Sequence, residues 1–220
     1  FEIMFFRSLL GIAIVSAVST ALGKWSEIKS DRLGLHIIRN ISHFTGQNLW
    51  FYSLPLIPLA QLIALEFTLP IWVLLLSPLL LGERITRVGA FTAIVSFFGA
   101  LLVAQPGSGP ISIGIFTAAG AAIGFALSAI FTRRLTRDQS ITCILFYLTV
   151  MQAVFGGICI LLFSDFNTPA PSSVPLVVLI GCAGLLAHLC LTKALSLAPA
   201  STVMPVDFAR LPVIAVIGMV

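Results

Sequence analysis

The chain of 220 residues is 59% hydrophobic and 9% charged, with a mean hydropathy of +1.11 and a net charge of +4. Soluble domains carry about 25% charged residues, so this composition excludes a soluble fold and makes the chain a polytopic membrane protein with the lipid bilayer as its partner. The basic residues sit in short loops between apolar spans, so the positive balance is not a nucleic-acid footprint and no nucleic-acid partner is expected.

A spanning helix needs about 20 apolar residues. In chain order the sequence predicts eight, over Glu2–Leu22, Leu35–Leu54, Leu59–Leu81, Ile85–Ala104, Ile111–Thr132, Ile141–Phe163, Val174–Ala198 and Ala200–Val220. Turn formers punctuate the connections: Pro55 to Pro58, Gln105 to Pro110 and Asn167 to Pro171. No cleavable signal peptide is read. Phe1 stands at the edge of one span and Val220 inside another, and both ends are expected to be truncations of a longer protein. The four cysteines lie in apolar segments without a CxxC pair and read as small core residues.

The loops alternate in charge. Lys24, Lys29 and Arg32 occupy the first, Arg84 and Arg87 the third, and Arg133, Arg134 and Arg137 the fifth, whereas the second, fourth and sixth hold no Lys or Arg. The positive-inside rule places the odd loops in the cytoplasm, with Lys193 on the same side.

One spacing recurs along the chain. At an offset of 141, Phe5 and Phe6 map onto Phe146 and Tyr147, and Leu54, Leu56, Pro58, Glu66 and Phe67 map onto Leu195, Leu197, Pro199, Asp207 and Phe208. This is an internal duplication. Spans one to four pair with spans six to eight and one absent span, and span five has no partner within the chain, which predicts one further span before Phe1 and five spans in each half. An odd number of spans per repeat inverts one half relative to the other, the arrangement common among transporters.

Ionisable groups inside spans are expensive and mark function by default. Arg39, His43, Gln47 and Trp50 recur at helical spacing on one face of the second span, with Asn40 and Tyr52 off that stripe. The stripe is either a cavity wall or interhelical glue, and Arg39, near the cytoplasmic end, is a candidate for snorkelling. Gln47 maps onto His188, so both halves put a polar group at one depth; used alone, His188 would be a structural hydrogen-bonder. Glu66 and Asp207 form the second symmetric pair. Low-dielectric surroundings disfavour the charged form of a carboxyl, which suits proton uptake and release, with a proton as the candidate coupling ion. The pair could equally hold a substrate amine or form ion pairs, Asp207 with Arg210 and Glu66 with Arg7 or Arg39. Pro70 and Pro78 in one of these spans, and Pro205 and Pro212 in the other, point to a binding site, a hinge or a packing kink. Gly120 and Gly124 form GxxxG, which close packing explains and which leaves a homodimer open. GxSxG, HExxH and GxxxxGK[ST] are absent, so no catalytic residue, metal site or cofactor is expected.

The stretch from Leu54 through Glu66 to Ile71, running into Leu79-Leu80-Leu81-Gly82-Glu83-Arg84, resembles the EamA family of the drug/metabolite transporter superfamily, as does Phe5-Phe6-Arg7-Ser8-Leu9-Leu10-Gly11. Ala198 to Pro212 is similar to the same motif cut before its Gly-Glu. The resemblance implies ten helices as inverted five-helix repeats with both termini cytoplasmic. Residues 1–104 would be the first repeat lacking its first helix, and 111–220 the second lacking its last. It implies facilitated or ion-coupled movement of small metabolites; similar members take up riboflavin or S-adenosylmethionine, or export amino acids and metabolites. The function expected is a secondary transporter in the bacterial inner membrane, rocking its halves around a shared cavity. His43, Gln47 and Trp50 would line one wall and His188 the other, with Glu66 and Asp207 handling charge and Arg7, Arg39 and Arg210 as ion-pair or gating groups. The rivals are an intramembrane enzyme acting on lipid-linked substrates, which would need a clustered catalytic set near one membrane face, and a structural membrane protein, which would not need matched carboxyls.

Overall fold

A computed structural model of the chain describes residues 1–85, 87–104, 112–163, 166 and 168–206. Among the described residues the regular structure is entirely helical: α1 (Glu2–Ala21), α2 (Leu33–Ser53), α3 (Leu59–Glu66), α4 (Leu69–Leu81), α5 (Arg87–Ala104), α6 (Ile113–Leu135), α7 (Ile141–Phe163), α8 (Val174–Leu197) and α9 (Ala200–Val206), with short 3₁₀ turns before α2 and α8. Five stretches are long and apolar enough to cross a bilayer: α1, α3–α4 taken together, α6, α7 and α8 with the turn before it. Large side chains on these helices stand fully outward, Leu79 80% and Leu161 85% exposed, as lipid-facing positions do. At 21 residues α2 has the length, but His36, Arg39, Asn40, His43, Gln47 and Asn48 lower its hydropathy. The eighth predicted span is described only through Val206, so Asp207, Arg210 and Pro212 lie outside the described residues.

The duplication recurs in the helix starts. Leu33 opens α2 and Val174 opens α8, while Leu59 opens α3 and Ala200 opens α9, each pair 141 residues apart.

The span predicted over Leu59–Leu81 is broken after Glu66, and the cause is local. Pro70 has no N–H to give to the carbonyl of Glu66, four residues earlier. The Thr68 hydroxyl donates to the carbonyl of Leu65 at 2.7 Å, closing the first segment, and Pro70 sits in the first turn of the next, where proline is tolerated. Of the two prolines read as internal to this span, only Pro78 lies inside a helix. Gly82, at φ 67°, ends α4 in the left-handed conformation that favours glycine. Just beyond it, a carboxylate oxygen of Glu83 accepts the backbone N–H of Ala200 at 3.2 Å. The Gly-Glu pair therefore stops one helix and caps the start of another.

The chain forms two compact units that cut across its halves. The first comprises residues 1–44 and 131–196. In it α1 packs along α7 over a core of Val15, Leu145 and Leu148, supported by Leu185. The approach is close because Gly156 has no side chain: a Cβ there would lie 3.3 Å from that of Phe5 and 3.4 Å from its backbone. At the loop end of this unit Arg32 pairs with Asp138 at 2.8 Å, joining two of the basic loops. Both side chains are about half exposed, so the pair contributes about 1 kcal/mol at most. Arg133 donates to the carbonyl of Leu195 at 2.7 Å, placing a cation at the C-terminal end of α8, where the helix dipole favours it.

The second unit comprises residues 45–130 and 197–220. Here α3 packs on α5, and α4 on α5 and α9. Ala118, Ala121, Ala122 and Ala126 present a fully buried small-residue face of α6. Gly120 of the GxxxG pair faces Leu49 of α2, 3.2 Å from where a Cβ would stand, so this residue serves packing within the unit.

Replacing Gly156 by Leu should force α1 from α7 and cost about 1–3 kcal/mol, read as a lower unfolding midpoint of the purified protein in detergent. Glu83→Ala, which removes the acceptor for the N–H of Ala200, should cost about 0.5–2 kcal/mol in the same measurement, with Glu83→Gln recovering part of it.

Candidate functional site

Buried polar side chains in a membrane protein must be matched inside the protein, and in the first unit they form one connected set. Arg39 of α2 is 2% exposed. Its Nε donates to the Thr132 hydroxyl at 3.0 Å and a terminal nitrogen donates to the Asn40 side-chain oxygen at 2.9 Å. Asn40, fully buried, donates to the carbonyl of His36 one turn back and to the sulfur of Met151. Gln152 of α7 closes the link, donating from Nε2 to the backbone carbonyl of Asn40 at 3.0 Å. Arg39 therefore does not snorkel. It meets a hydroxyl and an amide oxygen inside the bundle before its reach is spent.

One turn along α2, His43 packs edge-to-face on His188 of α8, ring centroids 4.7 Å apart. Both rings lie within Coulombic reach of Arg7 and Arg39. Beside them a cleft of about 20 Å³, room for roughly one water, opens between α1, α7 and α8. Arg7, Ser8, Thr149, Gln152 and His188 line it, together with Gly181 and Gly184. The Ser8 and Thr149 hydroxyls already donate to carbonyls of their own helices. Gln152 is 2% exposed, and its Oε1 is buried without a hydrogen-bond partner among the described residues. Farther along, His36 lies against Tyr147 at 4.4 Å and near the Cys143 sulfur at 3.8 Å.

In the second unit Trp50 and Glu66 meet. The indole N–H donates to a carboxylate oxygen of Glu66 at 2.7 Å, the short distance of a charge-assisted bond. Glu66 is the last residue of α3, at the helix break, where its carboxylate meets the Trp50 indole. Gln47 is half-buried on α2. Asp207 and Arg210 lie outside the described residues.

Three of the buried participants, His36, Thr132 and Gln152, were not among the residues singled out in the sequence, and Asn40 was placed off the polar stripe. Gln152 could have been, as the one amide in the apolar helix α7. Among the described residues no cluster of three or more His, Cys, Asp or Glu is poised to hold a metal.

A helical membrane protein with a repeated half and a buried polar set has an arrangement common among transporters. Residues 1–105 and 112–220 each match the EamA-like transporter family. The chain belongs to that family, within the drug/metabolite transporter superfamily, and is an integral protein of the bacterial inner membrane. It is similar to a riboflavin transporter of Brucella anthropi, 29% identical over 88% of this chain and 69% of the relative. It is also similar to an S-adenosylmethionine uptake transporter of Rickettsia conorii, 27% identical over 99% of this chain and 73% of the relative. A pseudopaline exporter of Pseudomonas aeruginosa is 29% identical over 89% of this chain and 68% of the relative. A chain of known crystal structure superposes with a TM-score of 0.75 at 19% identity, over 94% of this chain and 74% of that one, a likeness of fold. The transporter names fit a small-metabolite transporter and a non-enzymatic role.

Thr132→Ala should strand the Nε–H of Arg39 and cost about 1–3 kcal/mol, the penalty of an unsatisfied buried donor. Thermal unfolding of the detergent-solubilised protein checks this, with Thr132→Ser expected to stay close to the parent.

Proposed function

We propose that the chain forms eight of the ten helices of a secondary transporter that moves a small metabolite by alternating access. Residues 1–104 supply the last four helices of one five-helix repeat, and 111–220 the first four of its inverted copy. The alternating charge of the loops supports the inversion, because it puts the same sign on alternate sides through both halves. His43, Gln47, Trp50 and His188 contact the solute, and Glu66 and Asp207 handle charge. Arg7, Arg39 and Arg210 act as ion-pair or gating groups.

The contact between His43 and His188 is the observation that carries this reading. Each half contributes one ring, and both rings border the polar set that the first unit keeps out of lipid. The break at Glu66 adds a hinge at a charged residue, a position where interrupted helices of transporters meet their ligands. Trp50 holds the Glu66 carboxylate in place, so a loss of this bond would free the adjoining helix ends to move.

Uptake by the full-length protein in proteoliposomes, with a metabolite library under an imposed proton gradient, tests the reading. Glu66→Gln should lower the transport rate at least tenfold and flatten its pH dependence. An unchanged rate and pH profile would remove the carboxyl from the mechanism.

A further inference from the structure

We propose that a groove between α1, α7 and α8 is a phospholipid site, with an acyl chain along the groove and a zwitterionic, amine-bearing headgroup at Lys24 and Glu27. The site lies wholly in the first unit and stands apart from the transport reading.

The groove has a volume of about 370 Å³, within the roughly 300–1,000 Å³ of ordinary ligand pockets. Its floor is aliphatic, with Val15 and Leu145 both buried. Its rim carries Val18 and Leu186, both exposed on the outer faces of spanning helices, where hydrocarbon rather than water is the neighbour.

The duplication marks this groove as particular to its place. At the offset of 141, Ile14 corresponds to Phe155 and Leu185 to Phe44. Phe44 and Phe155 pack edge-to-face between α2 and α7, ring centroids 5.7 Å apart. Where one copy has two aromatic rings in contact, the other has two aliphatic side chains and open space. The volume is a departure from the repeat rather than a consequence of it.

One end of the groove is polar. Ser19 borders it and is fully buried, and its Oγ has no hydrogen-bond partner among the described residues. A buried hydroxyl calls for a partner, and the ester carbonyl of a phospholipid is an acceptor that arrives joined to an apolar chain. Thr142, which also lines the groove, donates to the Glu27 carboxylate. Glu27 pairs in turn with Lys24 at 3.3 Å, and both side chains are partly exposed. Trp25, exposed between them in the sequence, is a residue type enriched at headgroup level. The groove thus leads from hydrocarbon to a hydroxyl and then to a pair of opposite charges. That is the order of parts in a zwitterionic phospholipid: chain, ester, phosphate and ammonium. Lys24 meets the phosphate and Glu27 the ammonium, whereas an anionic lipid without an amine would leave Glu27 facing a like charge.

The test is photo-crosslinking of the full-length protein in liposomes of equal phosphatidylethanolamine and phosphatidylglycerol. Each lipid is supplied in turn as a trace probe with a diazirine in one acyl chain, and adducts are mapped to single residues by mass spectrometry. Adducts of the phosphatidylethanolamine probe should concentrate at Val15, Leu145 and Leu185, at least fivefold above the outward-facing Leu161. The phosphatidylglycerol probe should label the groove at least fivefold less, and Glu27→Gln should remove that difference. Ile14→Phe combined with Leu185→Phe, which copies the aromatic pair of the other half, should lower the groove adducts at least tenfold. An unfolding midpoint near that of the parent separates a filled groove from a lost fold, and Leu185→Phe alone serves where the pair does not fold. Adducts spread evenly over the outward faces, or undiminished in a folded Phe variant, would overturn the site. Equal labelling by phosphatidylglycerol would overturn the headgroup assignment. A groove without adducts would mean that another part of the full-length protein covers it, and would overturn the proposal as well. None of these outcomes touches the transport reading.

Discussion

The structure depends on one constraint: polar groups removed from water into a hydrocarbon environment must find partners within the protein. Arg39 meets it in the hardest form, since burying a guanidinium costs several kcal/mol before any contact is made. Its bonds to Thr132 and Asn40, and the bond from Gln152 to the backbone of Asn40, tie α2 to the end of α6 and the middle of α7 within one unit. These bonds decide which face of α2 turns inward. His43, one turn from Arg39, is carried inward on the same face and meets His188.

Close packing supplies the room for this polar set. With little hydrophobic driving force between helices in lipid, small residues set the distance of approach. Gly156 brings α1 against α7, while Gly181 stands with its missing Cβ 2.7 Å from Leu10 and 3.6 Å from the Arg7 backbone. Glycine here has a steric function. A side chain at either position would push α1 outward and take Arg7 away from Gln152 and His188. In the second unit the same economy appears along the alanine face of α6, and Glu66 sits where Pro70 has already interrupted the helix.

Helix positions were legible because length and apolarity decide them almost alone in a bilayer; predicted and observed ends of α1, α2, α7 and α8 differ by at most two residues. The duplication was legible because helix starts follow its offset. The break at Glu66 was half legible. Both prolines were visible, but whether a proline opens or interrupts a helix depends on where the preceding turn closes, which the Thr68 hydroxyl decides. The partners of Arg39 were not legible. Thr132 is 93 residues away, Asn40 was set aside as lying off the stripe, and a hydroxyl carries no hydropathy signal strong enough to mark it. The stripe from Arg39 to Trp50 identified the inward face of α2 but not the neighbours that each residue would meet. Those were Thr132 and Asn40 for the first, His188 for the second and Glu66 for the last.

The two copies of the duplication differ where the first carries its buried polar residues. At the offset of 141, Arg7 corresponds to Leu148, Arg39 to Ile180, Asn40 to Gly181 and His43 to Gly184. The two halves share helix starts and the Glu66/Asp207 pair, yet at these four positions one copy carries the polar side chain and the other carries none. Two of the replacements are the glycines that border Arg7, and Leu148 lines the same cleft. A second arginine at position 148 would set like charges against each other in a low-dielectric interior. A histidine at position 184 would fill the space that the guanidinium of Arg7 faces. Divergence at these positions therefore does two things at once: it leaves one copy of the cationic group instead of two, and it leaves space beside that copy. The repeat has kept its symmetry in the helix starts and lost it where α1 packs against α8.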